Sequence, residues 1–225
     1  MKKILVTGAF GQLGASLCEV LSNKSILATG RIITTTEKYR SVELDITNQK
    51  NVEELIHNYK PDIIIHLAAM TDVDGCEKDP EIAFDVNVRA TENLLKNFRG
   101  KFIYISTDYV FDGEEGPYSE DDKANPVSVY GKTKLYGENL IKESDIDWVI
   151  LRSNIIFSYN DRTKASFVNW VVDSLKRKQI ITVVNDQWNN PTWTNDLANV
   201  ISMIIKKNIS GVYHDGGRHF LNRLD

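Results

Sequence analysis

The sequence has few cysteines, no long basic block and no long apolar run, which are the features of disulfide-rich, nucleic-acid-binding and membrane proteins. Its 225 residues include two cysteines, Cys18 and Cys76, which are too few for a disulfide framework, so we expect both thiols to be reduced. Lysine and arginine form no block longer than three residues, and the formal net charge is −4. This charge pattern argues against a nucleic-acid surface and favours a small neutral or anionic ligand.

Long apolar runs are also absent. No window approaches the ~20 apolar residues of a membrane span. The apolar start, Ile4 to Val6, breaks at Thr7-Gly8, and no small-residue cleavage pattern follows it. We therefore expect a cytoplasmic protein without membrane contact.

The composition is that of a globular chain. Hydrophobic residues make up 42% and charged residues 26% of the sequence, enough for a substantial core. At a prior of about 150 residues per domain, the length suggests one large domain, or one domain with a smaller lobe. No Ser/Gly/Pro-rich linker or internal repeat interrupts the chain.

Short β-branched runs alternate with longer amphipathic stretches in the first two thirds of the chain. The predicted strands are 3–7, 25–29, 41–44, 62–67, 101–106 and 148–152, and the predicted helices are 12–22, 49–58, 80–98 and 129–143. Continuous apolar strands such as Ile63 to Ile65 suit a sheet buried on both faces. The pattern predicts an α/β fold with a doubly wound parallel sheet of the Rossmann type, with ligands at the carboxyl ends of the strands.

The alternation loosens after Arg152. We predict a dinucleotide-binding domain with the catalytic residues over 1–152, and mainly a small substrate-binding lobe over 153–225. In this second part we expect helices near 164–177 and 194–207 and strands near 180–184 and 211–214; the helix near 194–207 has the option of packing back on the first domain.

A glycine motif follows the first strand. Gly8, Gly11 and Gly14 are spaced by three at a strand-to-helix turn, where Gly8 permits the turn, Gly11 allows approach to a pyrophosphate and Gly14 allows close packing. We expect Phe10, Gln12 and Leu13 to bind the cofactor with them. The alternative is a tight turn without a ligand.

The residues after the next strands bear on the choice of cofactor. NAD sites place an acid on the ribose about 20 residues beyond the glycines, whereas NADP sites use a nearby arginine. The second strand ends at Arg31 with no acid beside it, so we favour NADP(H) over NAD(H), although Glu37 lies a little further on. Asp45 and Ile46 are candidate adenine contacts; the alternative for Asp45 is a helix N-cap.

Small residues end the fourth strand. Ala68 and Ala69, with Thr71, would let the backbone pass close to the nicotinamide ribose. His66 is interpreted as a residue that satisfies a buried hydrogen bond. No histidine spacing indicates a metal site, so none is predicted.

The strongest signal is the pair Tyr130 and Lys134, one helical turn apart. A phenol has an ordinary pKa near 10, and a neighbouring positive charge is needed to stabilise its phenolate near neutral pH. Thr107, at the end of the fifth strand, would hydrogen-bond the reacting carbonyl oxygen. We predict Thr107, Tyr130 and Lys134 as the catalytic residues, with Tyr130 and Lys134 also contacting the cofactor.

This glycine spacing and catalytic set resemble the short-chain dehydrogenase/reductases, and longer segments are similar to the dTDP-4-dehydrorhamnose reductase family within them. These segments are TDVDGCE (71–77), YISTDYVFDG (104–113), YGKTKL (130–135) and DQWNNPT (186–192). The resemblance implies NADP(H)-dependent reduction of a dTDP-4-keto-6-deoxy sugar, from dTDP-4-dehydrorhamnose to dTDP-L-rhamnose, with Tyr130 as proton donor.

The resemblance also implies which residues reach the nucleotide-sugar substrate. These are Asp108, Tyr109, Asn154, Gln187 and Trp188, while Asn87 would support the active-site helix. Relatives have Thr-Ser-Trp where this chain has Ser153, Asn154 and Ile155, so a stacking aromatic is missing. The chain ends at Asp225, short of the family's usual length, and we expect a reduced or truncated lobe.

Two other functions stay open. One is a non-catalytic NADP-binding regulatory subunit, since the same segments resemble the regulatory subunit of methionine adenosyltransferase. The other is a nucleotide-sugar epimerase or dehydratase, which would retain NAD without consuming it. A homodimer is a further expectation for this fold.

Overall fold

A computed structural model describes residues 1–33, 38–159 and 166–224, and Glu37 lies outside these ranges. Seven strands form one parallel sheet in the order β3-β2-β1-β4-β5-β6-β9. They are β1 (Lys3–Thr7), β2 (Ser25–Gly30), β3 (Arg40–Glu43), β4 (Ile63–His66), β5 (Lys101–Thr107), β6 (Asp147–Ser153) and β9 (Gly211–Asp215). Two short strands, β7 (Ile156–Phe157) and β8 (Thr192–Trp193), pair separately. The predicted doubly wound α/β fold is confirmed.

Helices cover the sheet and are short. They are α1 (Gln12–Val20), α2 (Gln49–Tyr59), α3 (Val73–Lys78), α4 (Pro80–Phe84), α5 (Ala90–Lys96), α6 (Val129–Lys142), α7 (Phe167–Lys176) and α8 (Thr194–Lys207). A π-helical turn, Asp85–Arg89, joins α4 to α5, and a 3-10 turn, Asp108–Val110, follows β5. Within the described ranges, no helix is both long and apolar enough to cross a membrane.

The core lies on both faces of the sheet. Ile63 and Ile65 of β4 belong to one apolar cluster and Ile64 to the other, and all three side chains are fully buried. Because successive residues of a strand point to opposite faces, a strand buried on both sides is apolar throughout. This explains why β4 has no alternation of apolar and polar residues.

Two sequence expectations need correction. The predicted strand 180–184 is wrong: these residues have no regular structure, and Ile180 is 99% exposed. A β-branched run forms a strand only where a neighbouring strand pairs with it, and none lies beside this one in the described part of the chain. The predicted helix 80–98 forms, but the π-helical turn interrupts it. Residues 164 and 165 of the predicted helix 164–177 lie outside the described residues.

The later part of the chain contributes directly to the main sheet. Strand β9 pairs with β6, from Val149 opposite Gly211 to Ser153 opposite Asp215. Helix α8 packs against α1, and the Ser16 hydroxyl donates a hydrogen bond to the Thr194 hydroxyl over 2.8 Å. The division into a domain over 1–152 and a lobe over 153–225 stays a prediction.

The packing of α8 predicts that its apolar face stabilises the whole sheet. Replacing Ile201, which is fully buried in the cluster shared with α1, by alanine should cost about 2–5 kcal/mol of unfolding free energy, because it leaves a cavity. Urea denaturation followed by circular dichroism measures this loss. The matched control Met203→Ala, on the exposed side of α8, should change stability by less than about 0.5 kcal/mol. A separate early transition for α8, with the main transition unchanged, would contradict the prediction.

Candidate active site

A cleft of about 750 Å³ opens at the carboxyl ends of the parallel strands. Its walls come from the β1–α1 turn, the ends of β4, β5 and β6, helix α6, the start of α7, Asn189, Pro191 and residues 221–223. This is the edge of the sheet where doubly wound folds bind ligands. The cleft brings together residues from both parts of the chain.

The glycine turn forms one end of the cleft. Gly8 has a φ of +67°, and a Cβ there would lie 2.7 Å from the backbone nitrogen of Ala68. A Cβ on Gly14 would lie 2.4 Å from the carbonyl oxygen of Gly8. Both positions therefore need glycine, one for its backbone conformation and both for the close approach of neighbouring backbone.

The N-terminus of α1 faces this turn. Its N-cap, Gly11, offers no side chain to the first N–H groups of the helix, and Gln12 and Leu13 line the cleft beside it. Such uncapped N–H groups, together with the helix dipole, favour an anion. Phe10 is not in the cleft wall; it packs against the core and sits beside Gly30.

The predicted adenine contacts lie outside the main cleft, at the ends of β2 and β3. Hydrogen bonds from Thr47 lower the pKa of Asp45, and the nearby charge of Arg31 adds to this effect. Ile46 is buried in the core. The N-cap of α2 is Asn48, which accepts a hydrogen bond from the Asn51 N–H, so the capping alternative for Asp45 is wrong. Arg31 is exposed.

The three predicted catalytic residues converge where β5 meets α6. Thr107 ends β5, and Tyr130 and Lys134 lie on the first turns of α6, which the Ser128 hydroxyl caps by accepting a hydrogen bond from the Gly131 N–H. All three side chains are buried and line the cleft. The Thr107 hydroxyl donates to the Asp108 carboxylate over 3.0 Å and accepts from the Tyr109 N–H.

Burial decides the protonation of Tyr130. It raises the pKa of the phenol above its ordinary value of 10, while the Thr107 hydroxyl, as a hydrogen-bond partner, acts in the opposite direction. Tyr130 is therefore protonated at neutral pH. The expectation that a neighbouring positive charge lowers this pKa is not met, because burial dominates.

Lys134 is held under the cleft by backbone and ring contacts. Its Nζ donates to the Ile105 carbonyl oxygen over 2.8 Å and lies 3.9 Å from the centre of the Tyr104 ring. Burial lowers the pKa of Lys134 to about 7, and the negative charge of Glu138 acts in the opposite direction. Near neutral pH this ammonium group is close to its titration point.

The end of β4 forms the wall opposite α6. Ala68, Ala69 and Thr71 line the cleft. Behind them, the His66 ring is buried between the hydroxyls of Thr7 and Thr91, at 2.7 and 3.1 Å, and burial lowers its pKa to about 3. A neutral His66 in two hydrogen bonds matches its interpretation as a structural residue.

Asn87, in the π-helical turn, ties this wall to α6. Its side chain accepts from the Met70 N–H and donates both to the Met70 carbonyl oxygen and to the Thr133 hydroxyl. The amide therefore fixes the loop after β4 relative to the helix that holds Tyr130. This contact fits the support role expected for Asn87.

Three of the five residues predicted to reach the substrate lie in the cleft. Asp108, Tyr109 and Asn154 line the cleft, whereas Gln187 is exposed and Trp188 stacks on Phe220 outside it. Burial raises the pKa of Asp108 and of Tyr109. The structure adds cleft residues that the sequence argument missed: Asn189, Pro191, Leu221, Asn222 and Arg223. An antiparallel bridge between Asn189 and Leu221 brings these segments together, and no local pattern signals it.

Residues that could bind a metal ion are not grouped. Within the described ranges, no three His, Cys, Asp or Glu side chains lie close enough together to hold one.

Comparison with known proteins identifies the family. The family model described as the RmlD substrate binding domain matches residues 1–225. A dTDP-4-dehydrorhamnose reductase of Aggregatibacter actinomycetemcomitans is 37% identical over 235 aligned residues, which cover all of this chain and 76% of that protein. The spore coat polysaccharide biosynthesis protein SpsK of Bacillus subtilis is 37% identical over 95% of this chain and 73% of its own length.

A relative with another role is similar over the same residues. The methionine adenosyltransferase 2 subunit beta of Danio rerio is 31% identical, over all of this chain and 71% of that protein.

Solved structures share the fold and contain nicotinamide cofactors. A dTDP-4-dehydrorhamnose reductase of Bacillus anthracis in complex with NADP has a TM-score of 0.83 and 31% identity, over 98% of this chain and 76% of that one. A UDP-glucuronic acid 4-epimerase of Bacillus cereus in complex with UDP-glucuronic acid and NAD has a TM-score of 0.86 and 29% identity, over 99% and 80%. From its sequence matches and its fold together, this chain belongs to the RmlD substrate-binding-domain family, the family of the dTDP-4-dehydrorhamnose reductases.

Proposed function

We propose that this protein reduces the 4-keto group of dTDP-4-dehydrorhamnose with NADPH to give dTDP-L-rhamnose. By family the chain is an NAD(P)-dependent oxidoreductase of nucleotide-sugar metabolism. The observation that carries the finer proposal is the convergence of Thr107, Tyr130 and Lys134 in one cleft with the glycine turn. A homodimer and a cytoplasmic location stay predictions.

The cleft fits a dinucleotide cofactor. The glycine turn leaves no room for a Cβ at Gly8 or Gly14, and the uncapped N-terminus of α1 offers N–H groups to a pyrophosphate. Ala68 and Ala69 leave space beside the ribose of the nicotinamide, and Arg31 would meet a 2′-phosphate at the end of β2. When bound, the cofactor supplies the hydride that reduces the carbonyl carbon.

Tyr130 is suited to donate the proton. Its raised pKa keeps the phenol protonated at neutral pH, which is the form that a general acid needs. The proton passes from the phenol oxygen to the oxygen at sugar C4 as negative charge develops there. Thr107 and Tyr130 would hold this oxygen between two hydroxyl groups.

Lys134 would stabilise the phenolate that remains. Its Nζ lies under the cleft, and an ammonium group near Tyr130 favours the charged form of the phenol after proton transfer. The same group would hold the ribose of the cofactor. Both roles require a protonated lysine.

Asp108, Tyr109 and Asn154 are the proposed sugar contacts. Ile155 lies where relatives have an aromatic residue, so no ring stacks on the sugar there, and the amide of the adjacent Asn154 would hydrogen-bond a sugar hydroxyl. Gln187 and Trp188 are not part of this proposal, since they lie outside the cleft.

A second candidate is a non-catalytic NADP-binding subunit of a larger enzyme. The similarity to the methionine adenosyltransferase 2 subunit beta favours it, because that relative aligns with all of this chain. An epimerase with retained NAD is a third candidate, on the likeness to the 4-epimerase structure.

One assay separates these candidates. Absorbance of the reduced nicotinamide is followed with NADPH or NADH against dTDP-4-keto-6-deoxy sugars and other nucleotide 4-keto sugars. We expect consumption of NADPH only with a 4-keto sugar. No consumption with any sugar, together with capture of a stoichiometric partner enzyme, would favour the subunit. Interconversion of sugars without net consumption would favour the epimerase.

Removing the phenol hydroxyl should abolish most of the turnover. We expect Tyr130→Phe to lower kcat by at least about 100-fold, the usual contribution of a general acid, while NADPH binding measured by fluorescence is retained. The matched control is Tyr136→Phe on the same helix, whose side chain is 56% exposed. Equal kcat values for Tyr130→Phe and the unmodified protein would exclude this role.

Arg31 should select between the two cofactors. We expect Arg31→Ala to weaken NADPH binding about tenfold, the loss of one charge-assisted hydrogen bond, and to leave NADH binding unchanged. Titrations of both cofactors by fluorescence measure this. Arg99→Ala is the control, since Arg99 precedes β5 at the opposite edge of the sheet. Equal weakening of both cofactors would mean that Arg31 does not contact the 2′-phosphate.

A further inference from the structure

A buried ion pair lies behind the proposed active site. The Glu138 side chain on α6 has no exposed surface, and its carboxylate accepts hydrogen bonds from Arg152 Nε at 3.0 Å and Nη2 at 2.8 Å. The Ser106 hydroxyl donates to it over 2.7 Å and Lys142 Nζ over 3.2 Å. Four donors around one carboxylate make it a fully satisfied anion.

The pair connects the two strands that hold the catalytic end of the cleft. Ser106 precedes Thr107 on β5, and Arg152 precedes Ser153 on β6, directly opposite Ser106 in the sheet. Through these contacts Glu138 fixes α6 against the ends of both strands. Arg152 is in turn surrounded by the Phe111 ring, the Glu120 carbonyl oxygen and His214.

Glu138 also lies one helical turn after Lys134, on the same face of α6. Residues four apart on a helix are neighbours, and here both side chains are buried, where solvent screens charges poorly. The negative charge of Glu138 therefore acts on the Lys134 ammonium from behind the cleft. The ring of Tyr104 and the carbonyl oxygen of Ile105 contact the same ammonium group.

We propose that Glu138 is a positioning residue of the reductase site, whose carboxylate favours the protonated form of Lys134 while its bonds to Ser106 and Arg152 hold α6 against β5. This inference rests on the proposed function. Glu138 does not line the cleft, so it acts through Lys134.

The charge is the informative part of this arrangement. Well-packed apolar residues often give as much stability as a buried ion pair. Holding α6 in place therefore does not by itself require a carboxylate at position 138. Keeping a buried lysine charged does require a fixed anion nearby, because burial lowers the pKa of Lys134 to about 7 even with the charge of Glu138 acting in the opposite direction.

Other titratable groups around Lys134 do not replace Glu138. From β4, His66 is neutral; from β5, Tyr104 is protonated, since burial raises its pKa far above 10. The groups of α3 and of the turn after β5 act on Tyr130 or on one another: Asp72, Asp74, Cys76, Glu77, Asp108 and Tyr109. The two cations beside this region, Arg152 of β6 and Lys142 of α6, are hydrogen-bonded to the Glu138 carboxylate itself.

The sign of the expected pH effect follows from these charges. Lys134 acts while protonated, so activity falls as pH rises through its pKa. Removing the Glu138 charge lowers that pKa, and the fall in activity moves to lower pH. A neighbouring opposite charge shifts a pKa by about one unit or more, so we expect the pH profile of activity to move by about one pH unit.

The test compares Glu138→Gln with Glu143→Gln, an exposed glutamate just beyond the same helix. The pH profile of kcat for 4-keto sugar reduction should move by about one unit to lower pH in Glu138→Gln and stay in place in Glu143→Gln. Glu138→Asp keeps the charge, so its profile should stay in place even if kcat falls. An unchanged profile in Glu138→Gln would overturn the proposal, because a merely structural role lowers kcat without moving its pH dependence.

A second measurement does not depend on turnover. Carbon-13 NMR of lysine ε-carbons, with the Lys134 signal assigned from Lys134→Arg, follows its titration in the protein without cofactor. The midpoint should be lower in Glu138→Gln, and an equal midpoint would overturn the proposal. If no sugar is reduced by the unmodified protein, the proposed function fails while this titration still tests the pairing.

A third variant covers the case in which Glu138→Gln does not fold with Arg152 unpaired. Glu138→Gln combined with Arg152→Gln removes both buried charges, so no isolated charge remains. We expect the Lys134 midpoint to move in the same direction but by less than in Glu138→Gln, because loss of the Arg152 cation partly offsets loss of the Glu138 charge, which is the charge that raises the pKa of Lys134. No movement in this folded double variant would overturn the proposal.

Discussion

The site depends on how closely helix α6 is held against the carboxyl end of β5. Ile105, Ser106 and Thr107 are consecutive: the Ile105 carbonyl contacts Lys134, the Ser106 hydroxyl contacts Glu138, and Thr107 lines the cleft together with Tyr130. The end of β5 thus fixes the position of α6 and, with it, the positions of Lys134, Glu138 and Tyr130. Preorganisation of this kind lets an enzyme avoid ordering its groups during the reaction.

Burial and charge oppose each other throughout this region. The same exclusion of water that keeps Tyr130 protonated also favours the neutral form of Lys134. A dry site strengthens each electrostatic contact, but it makes every charge depend on a partner. The buried carboxylate behind Lys134 resolves this conflict without adding a charge to the cleft itself.

The sequence predicted the sheet, and the meeting of Thr107, Tyr130 and Lys134 in one cleft, because both rest on local patterns. Ile63, Ile64 and Ile65 form a continuous apolar run in β4, and Tyr130 and Lys134 share a helix face by spacing alone. The sequence-based prediction failed where residues far apart in the chain decide the structure. Residues 180–184 have the composition of a strand, but no neighbouring strand in the described part of the chain pairs with them. Arg223 reaches the cleft only through the pairing of Asn189 with Leu221, and Trp188 packs on Phe220, about 30 residues away, which no local spacing reveals.

The pairing of β9 with β6 also bears on how the molecule assembles. Residues 154–210 separate these neighbouring strands, so their contact is of high sequence separation and slow to form. Until Gly211–Asp215 docks, β6 is an open edge that another chain can join, and edge strands are sites of aggregation. During synthesis, β6 leaves the ribosome well before β9 does. The nascent chain is therefore most prone to misassembly between the synthesis of β6 and the docking of β9.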